Sequence, residues 1–326
     1  MNLPERARGC LVGLAVGDAM GAPAENMTAG AIAERWGEVT GFLTDTPAGT
    51  DDTEYAAFSA LLLIDHGSQL TSAAVADAWI EHLAGRTGGF PGAGFSELGT
   101  IENLRAGLRP PASGDHLHSW SDGLAMRAAV HGVFAAGDPV EAARLAAVDG
   151  AVSHAGEGIY AGQAVAAGVA VAMSGGVLDD VVAAAIASVP GDSWTGMALA
   201  TAREHAHGNT GESQAWSVIA EKLLDTLVTP RYPWTDLGPE AVGLAFGAFI
   251  AAGGEFSVAV PRAVSMGRDA DTTAAIAGAL AGAMGGYSAI PPAWVDIGPV
   301  TGRCLGDVVA GLHLADLADH LVGATS

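Results

Sequence analysis

The chain has 326 residues and half of them are apolar, so it can bury a large core without disulfide bonds. It carries 14 Lys and Arg against 36 Asp and Glu, a formal net charge of −22, and Lys222 is its only lysine. This charge excludes binding to nucleic acid or anionic lipid through a basic patch, and an anionic ligand would need a cation or backbone N–H groups.

The sequence indicates a cytoplasmic protein without a membrane span. The longest apolar stretches, such as 164–173, fall well short of the roughly 20 residues that a span needs. The N-terminal apolar run 10–16 superficially resembles a signal peptide, but it is short and Asp18 follows it. Cys10 and Cys304 lie far apart in apolar contexts, which favours two reduced, buried cysteines.

Along the whole chain, apolar residues recur with helical periodicity, and the alternation typical of β-strands is nearly absent. Pro139 suits the first turn of its helix, whereas Pro261 would kink the helix that contains it. Small residues four apart, such as Gly278 and Gly282, allow helices to approach closely. We therefore expect one all-α domain over 1–326, a compact orthogonal multi-helix bundle. The predicted helices span residues 4–20, 53–66, 72–84, 122–136, 139–151, 158–174, 179–188, 193–204, 212–226, 239–252, 256–265, 272–284 and 301–314.

Two long stretches without helical periodicity, 25–51 and 86–121, are rich in glycine and proline. Loops of this length inside a compact domain are usually functional. We expect them to form the walls and lids of a cleft. Backbone N–H groups could bind an anionic ligand group there, either in the glycine-rich residues 88–94, which include Gly89 and Gly92, or in residues 153–158. The second stretch also contains two further candidates for the lining, His116 and His118.

Two acidic segments, 49–54 and 267–273, begin predicted helices more than 200 residues apart. One carboxylate can cap a helix, but adjacent carboxylates at the same helix end repel each other unless a cation neutralises them. Asp269 and Asp271 would point to nearly opposite sides of a regular helix, so they converge only in a turn before it. Their oxygens suit Mg²⁺, Mn²⁺ or Ca²⁺. Taken alone, each segment is explained as well by helix capping as by a metal site.

Six short motifs in this order resemble the ADP-ribosylglycohydrolases, which include dinitrogenase-reductase activating glycohydrolase and the ADP-ribosyl-acceptor hydrolases. The resemblance runs from about residue 5 to residue 286. Two positions depart from the usual pattern, because Ala270 stands where threonine is common and Glu54 is less usual after Thr53. The matching pieces are GCLVGLAVGDAMGAPAE at 9–25, TDDT at 50–53, DGLAMR at 122–127, SH at 153–154, DSW at 192–194 and GRDADT at 267–272.

The resemblance implies a binuclear metal centre at helix N-termini, holding two Mg²⁺ ions or their Mn²⁺ equivalents. Glu25 matches a glutamate on a mobile loop and is our choice for proton transfer, with Asp52 or Asp269 as the rival. Ser153 and His154 match a region near bound ADP-ribose, although His154 judged without the family is more often structural. The implied metal ligands are Thr50, Asp51, Asp52, Asp269, Asp271 and Thr272.

The activity that the resemblance implies is hydrolysis of the α-glycosidic bond at the anomeric carbon of ADP-ribose attached to an acceptor. The partner would then be an ADP-ribosylated acceptor or a ribosylated small molecule. Two alternatives stay open. One is an N-ribosyl hydrolase that acts on a nucleoside, a nucleotide or an NAD-derived metabolite, and the other is a non-catalytic relative that binds ADP-ribose or has a structural role.

Overall fold

The computed structural model describes residues 1–86, 90–207 and 216–324. Within these ranges the chain is helical and forms no β-strand, which confirms the all-α prediction. A π-helical turn, Ile80–Ala84, continues the fourth helix. The α-helices are α1 (Leu3–Gly21), α2 (Ala29–Trp36), α3 (Asp51–His66), α4 (Ser72–Trp79), α5 (Phe95–Arg105), α6 (Ala129–Phe134), α7 (Pro139–Gly150), α8 (Glu157–Met173), α9 (Leu178–Ala187), α10 (Trp194–Ala206), α11 (Trp216–Leu227), α12 (Gly238–Ala251), α13 (Phe256–Ser265), α14 (Ala270–Gly285) and α15 (Leu314–Ala324).

Most predicted helices agree with the structure to within a few residues, and α13 contains Pro261 as expected. The helix predicted over 122–136 is shorter, because it consists of a 3-10 turn at Ala125–Arg127 followed by α6. The first residues of the helix predicted over 212–226 lie outside the described residues. Periodicity therefore locates most helices, whereas it overestimates the length of some.

One predicted helix is wrong, and three of the observed helices, α2, α5 and α15, were not predicted. Residues 301–314 contain only a short 3-10 turn, Gly306–Val308, and α15 begins where the predicted helix should end. Gly302 and Gly306 have left-handed φ angles of +67° and +73°, which interrupt a helix. Of these unpredicted helices, α2 and α5 lie in the two stretches that lack helical periodicity.

A row of glycines lets α1 pack directly on the backbone of α14 along the length of both helices. A Cβ at Gly13 would lie 2.5 Å from the carbonyl oxygen of Gly278, and one at Gly17 would lie 2.0 Å from that of Ala274. Gly9 and Gly21 make equally close approaches at the two ends of the pair. The two helices run antiparallel, so the last turn of α1 meets the first turn of α14.

This pairing determines where the acidic segments meet. Asp18 lies in the last turn of α1, Asp271 lies in the first turn of α14, and α3 begins beside both helices with Asp51 and Asp52. No helix in the described ranges has the length and apolar character needed to cross a membrane. Cys10 and Cys304 are both buried and unpaired.

Candidate metal centre and cavity

Asp18 holds the first acidic segment against α1. It accepts hydrogen bonds from the backbone N–H and the hydroxyl of Thr50, both at 2.8 Å. It also accepts one from the backbone N–H of Thr53 at 3.1 Å and another from the Thr53 hydroxyl. Burial raises the pKa of Asp18 to about 6, although these hydrogen bonds oppose the rise. Asp18 therefore has a structural role, because it holds the start of α3 against α1.

The second acidic segment begins in a tight turn. Gly267 has a φ of +69°, and a Cβ there would lie 2.2 Å from the carbonyl oxygen of Met27. The next residue, Arg268, has a φ of +62° and donates its backbone N–H to the same oxygen at 2.9 Å. Asp269 then occupies the N-cap position of α14, and Asp271 lies in its first turn. This is the turn that the two-residue spacing of the aspartates requires.

Three carboxylates from three helices converge at this point. Asp18, Asp52 and Asp271 each place an oxygen within 4.8 Å of the other two. Oδ1 of Asp52 and Oδ1 of Asp271 are buried and have no hydrogen-bond partner in the described part of the chain. Burial, followed by repulsion from neighbouring carboxylates, raises the pKa values of Asp52 and Asp271 well above their usual range. Buried oxygens without partners in an acidic cluster fit a hard divalent cation, which would satisfy them and neutralise their charge.

A cavity of about 700 Å³ opens beside the cluster. All six predicted metal ligands line it, and so do Glu25 and Gly92. Arg303 is the only basic residue among the described residues of its lining. The acidic residues of the lining are Glu25, Asp51, Asp52, Glu54, Glu97, Asp122, Asp236, Asp269 and Asp271.

The predicted substrate-binding residues Ser153 and His154 lie behind the cavity wall. Nε2 of His154 is 3.0 Å from the hydroxyl of Ser121, which lines the cavity, and Nδ1 is 2.7 Å from the hydroxyl of Ser153. Burial lowers the pKa of His154 well below its usual value, so the ring is neutral. His116 is half-buried and its Nε2 lies 3.0 Å from the Ser153 carbonyl oxygen, whereas Gly89 lies outside the described residues.

The edge of the cavity is aromatic. His118 stacks on Phe95 with ring centroids 5.2 Å apart, and it meets Trp234 edge-on at the same distance. Phe95 and Trp234 both line the cavity, and Phe95 is 54% exposed. An exposed aromatic ring at a cavity edge is a platform for a flat ligand group.

Three carboxylates of the lining were not predicted from the sequence. Glu97 lies on α5, within a stretch that has no helical periodicity, and the hydroxyl of Ser96 donates to its Oε2 at 2.6 Å. The Asp122 backbone N–H donates to the carbonyl oxygen of Asp236 at 3.0 Å, which brings both residues to the same wall. Only Asp122 had a signal, since it begins one of the six motifs.

A buried arginine supports this wall from behind. Arg127 is fully buried, and its guanidinium lies 3.7 Å from Glu97 and 3.5 Å from Asp149. It donates to the carbonyl oxygen of Gly123 at 2.7 Å and to the hydroxyl of Ser153 at 2.8 Å. Arg127 therefore compensates the charge of one cavity carboxylate and connects it to the residues behind the wall.

Comparisons with known proteins agree with this fold. A family model described as ADP-ribosylglycohydrolase matches residues 1–325. An uncharacterized protein of Archaeoglobus fulgidus is 30% identical over 311 residues, covering 90% of this chain and 92% of that protein. A solved structure described as an ADP-ribosylglycohydrolase-related protein complex has a TM-score of 0.66 and 24% identity, covering 100% of this chain and 99% of the other.

Proposed function

Because the chain belongs to the ADP-ribosylglycohydrolase family, we propose that it is a metal-dependent hydrolase that releases ADP-ribose from an acceptor. The observation that carries this proposal is the convergence of two distant acidic helix starts with Asp18, which leaves oxygens of Asp52 and Asp271 buried without partners. Helix capping does not require the two helix starts to meet or to leave carboxylate oxygens buried without partners, whereas a cation site requires both.

The residues that would hold the two ions are the six predicted ligands on the first turns of α3 and α14. When bound, the ions would supply positive charge that orients the ribose hydroxyls and lowers the pKa of a water molecule. The surrounding carboxylates would stabilise the positive charge that develops on the ribose as its bond to the acceptor breaks. Water oxygen joins the anomeric carbon, and the acceptor leaves with a proton.

Glu25 is the group proposed to move that proton. It lies on the cavity lining, and the side-chain amide of Asn26 donates to its Oε1 at 3.0 Å. Desolvation raises the pKa of Glu25, and the charge of Asp236 raises it further. A raised carboxyl pKa favours proton exchange close to neutral pH. Asp52 and Asp269 are the alternatives, although a carboxylate that holds a cation is a weaker base.

The cavity also supports a substrate larger than a nucleoside. Its volume of about 700 Å³ lies well inside the range for nucleotide-sized ligands. The aromatic rings of Phe95 and Trp234 offer a platform on which a base can stack. Gly92 and Gly94 also line the cavity, and their backbone N–H groups can bind a phosphate. These features favour ADP-ribose over a plain nucleoside.

Calorimetric titration of ADP-ribose tests the proposal, first with Mg²⁺ and then with EDTA, for wild type and Asp269→Ala. We expect micromolar binding that requires the metal and is lost in the variant. Tight binding without turnover on any ADP-ribosylated acceptor would support the non-catalytic alternative. Absence of ADP-ribose binding in the metal-loaded protein would overturn the proposal and direct the search to ribonucleosides and NAD-derived metabolites.

A further inference from the structure

Glu54 fixes a C-terminal segment at the edge of the cavity. Its Oε1 accepts hydrogen bonds from the hydroxyl of Thr301 at 2.7 Å and the backbone N–H of Arg303 at 2.6 Å. Its Oε2 accepts the backbone N–H groups of Cys304 at 2.9 Å and Leu305 at 2.6 Å. The side chain is buried, and these four bonds occupy both of its oxygens. Glu54 thus serves the segment and not a cation.

A second contact joins the same segment to the chain that precedes residues 91–94 of the cavity lining. The guanidinium of Arg86 donates to the carbonyl oxygen of Cys304 at 3.0 Å, and it also lies over the ring of Phe90, 5.1 Å from the centroid. Phe90 directly precedes the glycine-containing part of the lining that includes Gly92. The segment is therefore held beside backbone already assigned to the phosphate region.

Arg303 is the residue that this arrangement presents to the ligand. Its backbone is fixed by Glu54, yet its side chain is exposed and lines the cavity. Among the described residues that line the cavity, Arg303 is the only Lys, Arg or His, against nine carboxylates. Within the described ranges its guanidinium forms no ion pair, whereas Arg8, Arg105, Arg109, Arg144 and Arg268 each pair with a carboxylate.

We propose that Arg303 binds a phosphate group of the ribosyl ligand and that Glu54 is its positioning residue. The inference rests on the proposed function and narrows its substrate class to phosphorylated ribosyl compounds. Nine carboxylates repel a phosphate, so binding needs a positive charge on the phosphate side of the cavity in addition to any metal. A guanidinium supplies it in a planar fork that matches two phosphate oxygens.

The test compares the affinities of ADP-ribose, ribose 5-phosphate and adenosine for wild type and Arg303→Ala, by calorimetry in the presence of Mg²⁺. Loss of a charge-assisted contact should weaken the two phosphorylated ligands about tenfold or more and leave adenosine unchanged. The matched control is Arg203→Ala, which removes an exposed arginine from α10, outside the cavity lining. A loss for ADP-ribose alone would assign Arg303 to the phosphate that carries adenosine, and a loss for both would assign it to the phosphate next to the reacting ribose.

Glu54→Gln tests the positioning role, because an amide retains only one of the two acceptor oxygens. We expect it to weaken the phosphorylated ligands selectively, and to add nothing further when combined with Arg303→Ala. Additive losses, or an equal loss for adenosine, would overturn the role of Glu54. If wild type binds ADP-ribose and Arg303→Ala binds it equally well, the phosphate contact is wrong and the proposed function stands. If wild type binds none of the three ligands, both proposals fail.

Discussion

The Cα of Gly17 lies so close to the carbonyl group of Ala274 that a Cβ would stand 2.0 Å from the oxygen and 2.4 Å from the carbon. Both contacts are backbone atoms of α14, so no side chain can move aside. Gly17 directly precedes Asp18, and Ala274 lies three residues after Asp271. The close approach of the two helices therefore also sets the separation of two carboxylates of the cluster.

We predict that Gly17→Ala destabilises the fold severely and weakens metal binding. Forcing a methyl group against a rigid backbone should cost at least about 3 kcal/mol, the upper end of the usual range for overpacking. Urea unfolding measures this cost. Gly30→Ala is the control, because a Cβ there meets nothing within 4 Å and alanine favours α2 by about 0.5–1 kcal/mol. Similar stability of the two variants would show that α1 and α14 are not held in close contact.

We predict that divalent metal stabilises the protein through the converging carboxylates. Mg²⁺ should raise the melting temperature, since a cation that binds only the folded state adds stability by mass action, about 2.7 kcal/mol at 100 times its Kd. Asp52→Asn should abolish most of this rise and should itself raise the melting temperature without metal, because it relieves repulsion among buried carboxylates.

Asp65→Asn serves as the control for the metal prediction. It removes the same charge from the exposed end of the same helix, α3, and should keep the full response to Mg²⁺. An equal response of Asp52→Asn and wild type would show that the acidic cluster is not the metal site.

How far the sequence predicts this site depends on how local each feature is. Thr50 to Asp52 and Asp269 to Thr272 were identifiable because each group is contiguous and begins a helix. Glu97 was not, since it lies on α5 and reaches the cavity only through tertiary packing around Arg127. The structure of residues 301–314 was mispredicted because Gly302 and Gly306 adopt left-handed φ angles, which helical periodicity does not reveal.

We predict that Arg127→Met destabilises the protein by about 3–5 kcal/mol, the cost of leaving buried charges unpaired. Asp149 and Glu97 would then keep their carboxylates in a buried region without their arginine. Chemical denaturation measures the loss. Arg8→Met is the comparison, because among the described residues the Arg8 guanidinium pairs only with Asp319, at the surface, and surface ion pairs contribute little to stability. A loss below about 1 kcal/mol in Arg127→Met would contradict a role for Arg127 in charge compensation.

We predict that His154 contributes to the loss of stability in mild acid. Its pKa is lowered by burial, so the folded state keeps the ring neutral while the unfolded chain takes up a proton near pH 6.5. The contribution of His154 is therefore complete above about pH 6.5 and falls as the pH drops below it.

The free energy of unfolding at pH 8 and at pH 5.5, for wild type and His154→Gln, isolates this contribution. The loss of stability between the two pH values should be smaller in the variant than in wild type, whatever the neighbouring carboxylates contribute. An identical pH dependence in the two proteins would mean that folding does not change the pKa of His154.

We predict that Glu25→Gln slows hydrolysis by about 10²–10⁴-fold, the usual contribution of a general acid or base, while ADP-ribose binds with nearly the wild-type affinity. Glutamine keeps the size of the side chain and its acceptor for the Asn26 amide, but it cannot exchange a proton. Single-turnover rates on any ADP-ribosylated acceptor that wild type hydrolyses, together with calorimetric affinities, separate the two effects. Glu34→Gln, an exposed change on α2, should match wild type in both measurements. Unchanged turnover in Glu25→Gln would mean that Asp52 or Asp269 transfers the proton. A loss of ADP-ribose affinity as large as the loss of rate would make Glu25 a binding residue.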